Sequence, residues 1–480
     1  MGIDLKYNFS TFREKYLGNI RFWIFIFFII RLYGITDPPL EIAHNWRQVT
    51  GDMVARNFYE VDNNILYPRL DIAGEKTGIT GTEFSVLNYL MYLLSLIFGF
   101  HDWFGRLINL TVSSFGVLYF YKLLKLRFEE RFSFFAAFIL LTSVWFMFSR
   151  KVMPDTFSIS LVIIGIYHVY RYADSMKYIR LLYYVMFVTA GVLSKIPAAY
   201  LLVVVAYIVF DKNIALSIRA WIISCSILIF IPVIWWYFYH VPFLTARFGF
   251  SHYYMGTGFA QGFHELADNL APTFEKFYFD ALKFSGFAAF VAGLILAFVK
   301  KEKKLLLVTG ICTIAFLVFM LKAGRNFYHH SYYVVPFVPV MSLLAAYAVM
   351  QIRKEWMQIA FVLIITVESI ANQQHDLRIK YSEKYKLSLE AIADSLCEKN
   401  TLVAVNGDEN PQLMYFLHRK GWTISSEKVA DNFFLKELQG KGCEFLFLDK
   451  KKSADAVFNS LSEYKVVFED QHFIVYSLVK

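Results

Sequence analysis

Apolar runs of nearly bilayer-spanning length recur through this 480-residue chain, beginning with NIRFWIFIFFIIRLYGI at 19–35. No other property restricts the fold so strongly. A run inside lipid must satisfy its own backbone, which leaves helices or a closed barrel. The predicted spans lie near 20–35, 104–124, 132–149, 156–170, 181–193, 197–210, 219–239, 284–299, 305–321, 328–350 and 356–372. Several are short or interrupted. Charged residues make up only 18% of the chain, against about 25% in soluble domains. The fold class expected is a polytopic α-helical membrane protein.

One further run, FSVLNYLMYLLSLIFGF at 84–100, is ambiguous by hydropathy, and charge decides it. Lys6, Arg13, Lys15 and Arg21 argue for an inward N-terminus. If 84–100 does not cross, KLLKLRFEER (122–131), RYADSMKYIR (171–180), KKEKK (300–304) and QIRKEW (351–356) all face the cytoplasm. If it does cross, all four basic loops face outward. The run is therefore expected to lie at the outer face. About eleven spans (11–13) follow, with outer loops at 36–83 and 240–283 and the tail outside. The net charge of +9 is thus a topology signal and not a nucleic-acid footprint. No small-residue cleavage site follows the first run, which reads as a retained span.

The domain division expected is 1–374 in the membrane and 375–480 as a soluble extracytoplasmic α/β domain. In the tail, SLEAIADSLCEKN, NPQLMYFLHRKG and SADAVFNSLSE read as helices, and TLVAVNG, EFLFLD, YKVVFED and FIVYSLV as strands. Asn406-Gly407 and Lys420-Gly421 read as turn or cap signals. No GxGxxG or P-loop is present, so nothing points to a nucleotide site. Arg419 and Trp422 read as an exposed pair suited to a sugar or phosphate, or as a helix end and strand start. Cys225 and Cys312 lie in apolar runs; Cys397 and Cys443 in the tail are either paired or free.

Three polar clusters fall on the outer side of this topology. The first is LEIAHNWRQVTGDMVARNFYE at 40–60, where the first outer loop carries eight acids against four basic residues over 36–83. On a helix, Glu41, His44 and Gln48 share a face, with Arg47 and Asp52 offset. Trp46 is suited to the headgroup level. The plainer reading is a solvated amphipathic helix. The second is SRKVMPDTF, with Arg150, Lys151 and Asp155 between two spans; Asp155 either caps the next helix or has a partner. The basic pair there opposes the positive-inside tendency and favours an anion. The third joins Lys195 and Pro197 of GVLSKIPAAY to Lys322, Arg325, His329, His330 and Tyr332 of LKAGRNFYHHSYYVVPFVP. Lys195 either snorkels to headgroups or contacts a lipid phosphate. The two histidines point different ways on a helix, which argues against a metal pair.

Acids and cations on one face suit group transfer better than conduction. An acid can take the proton of a hydroxyl, and cations can stabilise a departing phosphate. On these residues the chain resembles the GT-C class of integral membrane glycosyltransferases, and more narrowly the family 39 superfamily of protein mannosyltransferases and aminoarabinose transferases. ARNF (55–58) corresponds to an Arg-Glu-Met-like element, and GRLINL (105–110) makes Arg106 the matching arginine. RKVMPD matches Arg-x-x-x-Pro-Asp through Arg150 and Asp155, and SKIP matches Thr-Lys-Gly-Pro through Lys195 and Pro197. The usual Asp-Glu pair of the first loop is absent, so Glu41 and Asp52 compete as base.

The resemblance implies transfer, with inversion, of a sugar from a polyprenyl phosphate to a hydroxyl on a glycolipid, envelope glycan or protein. It implies Glu41, Asp52 and Asp155 as catalytic groups. Arg106, Arg150, Lys195 and Arg325 would hold the donor phosphate, with His44, Trp46 and Arg47 at the sugar end and His329 among the substrate-binding residues. A divalent cation serves some members, although the clustered acids of a metal site are not evident. A bacterial inner membrane is the location expected. A transporter or flippase for a lipid-linked component is the alternative, and an assembly protein docking through its tail is a third reading. Neither internal repeats nor polar residues at the bilayer centre, which a transporter would show, are clear.

Overall fold

The computed structural model describes residues 17–252, 256–453 and 455–479. Lys6, Arg13 and Lys15, on which the inward N-terminus is argued, lie outside the described residues, as do 253–255 of the second outer loop. The chain forms two compact units. The helical unit comprises Met1–Ile35, Gly105–Trp236 and Tyr254–Leu377. The sheet unit comprises Thr36–Phe104, Tyr237–Tyr253 and Arg378–Lys480. The tail thus shares a unit with the first outer loop, and the division between units does not follow a single cut at 374/375.

Among the described residues five helices are long and apolar enough to cross a membrane: Phe104–Leu124, Leu216–Phe248, Lys303–Ala323, Ser331–Met350 and Glu355–Leu377. A sixth arises if Leu270–Ala281 and Lys283–Val299, bent by 101° at their junction, form one span. The other runs give shorter or broken helices. The run at 132–149 splits into Glu130–Thr142 and Trp145–Phe148, because Ser143 is extended. The run at 197–210 begins as a 3-10 helix, Ile196–Val205, and continues as Ala206–Phe210. The ambiguous run is a 13-residue helix, Val86–Phe98, in the sheet unit. At 1.5 Å per residue it reaches about 20 Å, short of a hydrocarbon core of roughly 30 Å. The second outer loop is largely helical, with Val241–Phe248, Phe259–Ala267 and Leu270–Glu275.

In the helical unit, Pro154–Ser175 and Tyr178–Ser194 form an antiparallel hairpin through Met176, whose φ is 54°. Gly191 lets them approach closely: a Cβ there would lie 2.8 Å from the Ser158 carbonyl oxygen. Small residues at such crossings are how helices pack in lipid, where burial of apolar surface gives little drive. At the 101° bend, the carboxylate of Glu368 accepts from the backbone N–H groups of Phe284 (3.2 Å) and Ser285 (2.8 Å) and from the Ser285 hydroxyl. These are orphan donors of a helix start, and an acid satisfies them.

The sheet unit is built on five strands: β1 (Leu402–Val405), β2 (Lys420–Thr423), β3 (Cys443–Asp449), β4 (Lys465–Glu469) and β5 (Phe473–Ser477). Their order is β2-β1-β3-β5-β4. The pairs β2-β1 and β1-β3 are parallel, and β5 runs antiparallel to β3 and β4. Alternation along the strands separates two cores. Val403, Val405, Phe447 and Val475 pack with Val49, Met53, Phe58 and Leu413. Ala404, Leu446, Leu448 and Ile474 pack with Ile424, Leu435 and Leu438. Lys420-Gly421, expected as a turn, lies in β2. The helices Ser426–Val429 and Asn432–Gly440 fall where no element is expected. All four cysteines are free thiols, which decides the question of Cys397 and Cys443.

The segment 36–83, expected as the first outer loop, extends this sheet. Gly421 N–H donates to the Asp71 carbonyl (2.9 Å), and its own carbonyl accepts from Gly74 N–H (2.7 Å). Gly421 leaves no room for a side chain, since a Cβ would sit 1.7 Å from the Val403 carbonyl oxygen. Gly421→Ala is therefore expected to push β2 off β1, costing about 1–3 kcal/mol. Limited proteolysis of the sheet unit would read this as earlier cleavage, and a variant with wild-type resistance would contradict it.

Candidate active site

In the helical unit the polar residues assemble around the segment from Ser149 to Asp155. Asn109, fully buried on Phe104–Leu124, organises it. Its amide nitrogen lies 3.0, 2.9 and 3.1 Å from the carbonyl oxygens of Phe148, Lys151 and Met153. Its oxygen accepts from Ser113 (2.8 Å) and Thr156 (3.1 Å). Ser149 to Met153 lie between helices, with Pro154 opening the next one, and one carboxamide collects carbonyls that would otherwise be orphaned.

The basic residues hang from this frame. Arg150 donates to the carbonyls of Tyr33 (2.9 Å) and Asp376 (3.3 Å). Lys151 pairs with the Asp376 carboxylate at 3.0 Å. Arg31 donates to the Phe27 carbonyl (2.9 Å) and to the Ser149 hydroxyl. Arg106 donates to the Ile35 carbonyl at 3.2 Å. All four are buried.

Asp155 does not cap its helix: Met153 holds the cap position, with no side-chain cap bond. It pairs instead with Lys195, at 2.6 Å, with side-chain exposures of 1% and 11%. The backbone explains why both charges are tolerated. Pro197 cannot continue the helix Tyr178–Ser194, so Lys195 is extended (φ −163°, ψ 113°) at its C-terminal end. Asp155 lies in the first turn of Pro154–Ser175. A cation at one helix's C-terminus thus meets an anion at another's N-terminus, and both dipoles favour the arrangement. The Lys195 ammonium also lies 4.8 and 5.9 Å from the ring centroids of Tyr332 and Tyr333. His330 stacks on both tyrosines, at 5.0 and 5.9 Å.

Arg325 and His329 are not brought into this group. They are exposed on the five-residue helix Arg325–His329, and the Arg325 backbone N–H donates to Glu265 at 2.6 Å. Asp155 and Asp376 each hold a lysine, and among the described residues no three His, Cys, Asp or Glu side chains converge as ligands.

The sheet unit holds the competing acids. The expected helix face of Glu41, His44 and Gln48 is not formed. The helix begins at Asn45, His44 precedes it in a left-handed conformation (φ 62°), and Glu41 forms a β-bridge with Ile379. Gln48 still reaches Glu41, donating from Nε2 at 2.9 Å. Glu41 is 3% exposed and Asp52, on Asn45–Glu60, fully buried. Arg47 pairs with Glu83 at 2.5 Å, and Trp46 is exposed. Burial and the Arg47 charge lower the neighbouring His252 from its ordinary value. Arg56 donates to Asp71 (2.9 Å) and to the Tyr415 carbonyl (3.1 Å). Burial would lower its guanidinium, but Asp71 together with Tyr415 and Glu60 outweighs that and holds it above the usual value. Arg419 is not exposed as expected: it is buried, paired with Asp394 at 2.7 Å, while Trp422 covers Gly74.

Sequence reasoning missed Asn109, Asp376, Arg31 and Tyr333. Asn109 had a signal, being a polar residue inside an apolar span.

Three solved structures share this architecture. ArnT from Cupriavidus metallidurans, bound to undecaprenyl phosphate, superposes with a TM-score of 0.60 at 12% identity, over 95% of this chain and 98% of that one. The oligosaccharyltransferase of Archaeoglobus fulgidus in its apo form gives 0.57 at 11% identity, over 89% and 70%. The arabinofuranosyltransferase AftD from mycobacteria gives 0.51 at 13% identity, over 96% of this chain and 41% of that one. The chain has the GT-C fold. Within that fold, a family described as dolichyl-phosphate-mannose-protein mannosyltransferase matches residues 85–236 by sequence. That stretch contains Arg106, Asn109, Arg150, Lys151, Asp155 and Lys195 of the GT-C helical unit. No curated protein matches the chain by sequence.

Proposed function

We propose that this chain is a glycosyltransferase that moves a sugar from a polyprenyl phosphate to a hydroxyl acceptor at the outer face of a bacterial inner membrane, inverting the anomeric centre. The observation that carries this reading is the buried Lys195–Asp155 pair beside Tyr332 and Tyr333, in a unit where Arg31, Arg106, Arg150 and Lys151 are also buried. Clustered lysine and arginine side chains of this kind are suited to receiving a phosphate. A lipid phosphate is such a group, and ArnT, which shares the fold, is seen with undecaprenyl phosphate.

The chemistry assigns each group within its own unit. A carboxylate, Glu41 or Asp52, takes the acceptor's hydroxyl proton. The oxygen forms its bond to the anomeric carbon as the bond from that carbon to the phosphate oxygen breaks. The electron pair leaves with the lipid phosphate, whose charge Lys195, Arg150 and Arg106 stabilise. Asp155 positions Lys195. His44, Trp46 and Arg47 belong to the sugar end, and Arg325 and His329 to the surface met by the arriving donor. The eleven-span topology with an external sheet unit is part of the same reading.

The test is transfer in membranes supplied with a polyprenyl-phosphate sugar. Glu41→Gln or Asp52→Asn is expected to lower the rate by roughly 10²–10⁴-fold, the usual worth of a positioned base. Full activity in both variants rules out both carboxylates.

A further inference from the structure

A cavity of about 590 Å³ opens within the sheet unit, between the loop residues Arg56, Arg69 and Asp71 and the tail residues Lys399, Asn400 and Lys420. It has no role in the reaction described above. Its volume falls in the range of small-ligand sites, roughly 300–1,000 Å³. Eleven of its fourteen lining residues are charged or polar.

Among the charged residues of those walls Glu60 meets His418 at 2.8 Å, and one cation, Lys420, has no carboxylate at contact distance among the described residues. Arg56 is paired with Asp71 at 2.9 Å and Arg69 with Asp62 at 2.8 Å. Lys399 is paired with Glu390 at 2.7 Å, and Arg419 with Asp394 at 2.7 Å. Lys420 has no hydrogen-bonding or ion-paired carboxylate among the described residues. The nearest candidate is already committed: Asp71 accepts from Arg56 on Oδ2 and from Asn57 on Oδ1, at 2.8 Å. Lys420 is half-buried on β2, and burial, reinforced by Arg69, lowers its ammonium from the ordinary value even against the pull of Asp71 and Glu75. An ammonium with no contact partner at the wall of an open cavity can receive an anion there.

We infer that this cavity binds a hydrophilic ligand, of the size of one or two sugars, through a phosphate or carboxylate received by Lys420. The inference stands apart from the transfer reaction, because the cavity lies wholly within the sheet unit and needs no lipid donor.

Equilibrium binding to the full-length protein in detergent, without donor, tests it. The probes are glucose 6-phosphate, a glucuronate-containing disaccharide and uncharged lactose. At least one anionic probe is expected to bind saturably below about 10 mM, and lactose not to bind. The tighter of the two anions identifies phosphate or carboxylate as the recognised group. Lys420→Gln is expected to weaken binding by roughly tenfold or more, and Lys420→Arg to retain it. Asn400→Asp, an exposed change that leaves the fold intact, places a negative charge at the rim and should also weaken it. Absence of saturable binding by either anion, or unchanged affinity in both Lys420→Gln and Asn400→Asp, overturns the inference. Transfer activity is a separate readout, so a failure here leaves the proposed reaction untouched.

Discussion

Lys195→Ala is expected to reduce sugar transfer by roughly 10²–10³-fold, the usual cost of removing one preorganised charge-stabilising donor. The same change strips Asp155 of its partner. Asp155 is 1% exposed at its side chain, so an uncompensated buried charge results, costing about 3–5 kcal/mol of stability. The two effects must be separated, because an unfolded enzyme is also an inactive one. The double variant Lys195→Met, Asp155→Asn removes both charges together and should recover most of the lost stability. It should not recover transfer, since the ammonium that meets the phosphate is still missing. Thermal unfolding and transfer measured on the same preparations decide the matter. Recovery of both in the double variant would leave Lys195 with a structural role only.

The second large effect is expected at Asn109, which touches no proposed substrate group. Asn109→Ala leaves three carbonyls and two hydroxyls without the carboxamide that serves them. At about 1–3 kcal/mol for each buried group left unsatisfied, partial relaxation still leaves a loss of several kcal/mol. The segment from Ser149 to Asp155 would then lose its shape, and with it the placement of Arg150, Lys151 and Asp155. Transfer should fall with little change in the residues that carry charge. Asn109→Asp keeps the acceptor for Ser113 and Thr156 but not the donor, and should be nearly as damaging. A folded Asn109→Ala enzyme with ordinary activity would show that the segment holds itself.

These two residues also mark how far the sequence could be read. Lys195 was visible because Pro197 and a lone cation interrupt an apolar run, and both facts are local. Asp155 was visible too, as a cap or one half of a pair, but which partner it takes was not, because Lys195 is distant along the chain. Asn109 was passed over in favour of Arg106, three residues earlier, since an asparagine in an apolar helix does not say which carbonyls it will meet. The strands of the tail were legible from alternation, apart from β2, where Lys420-Gly421 reads as a turn. What makes it a strand is the Val403 backbone pressed against it, a contact no local pattern encodes. The helical face proposed for Glu41, His44 and Gln48 failed for a related reason: Glu41 is held by Ile379, outside the window in which periodicity is read.

That pairing sets an order for biosynthesis. The surroundings of Glu41 come largely from residues made last: Lys380 N–H donates to the Leu40 carbonyl at 2.7 Å, and Gln412 to Pro39 at 3.3 Å. At ~5–20 residues per second, a ribosome needs roughly 20–70 s to travel from Glu41 to Ile379, and longer to reach β5. For that interval the first outer loop has been translated without its sheet. A nascent chain carrying every apolar helix is therefore still without the contacts that place Glu41, which form only when the C-terminal residues arrive.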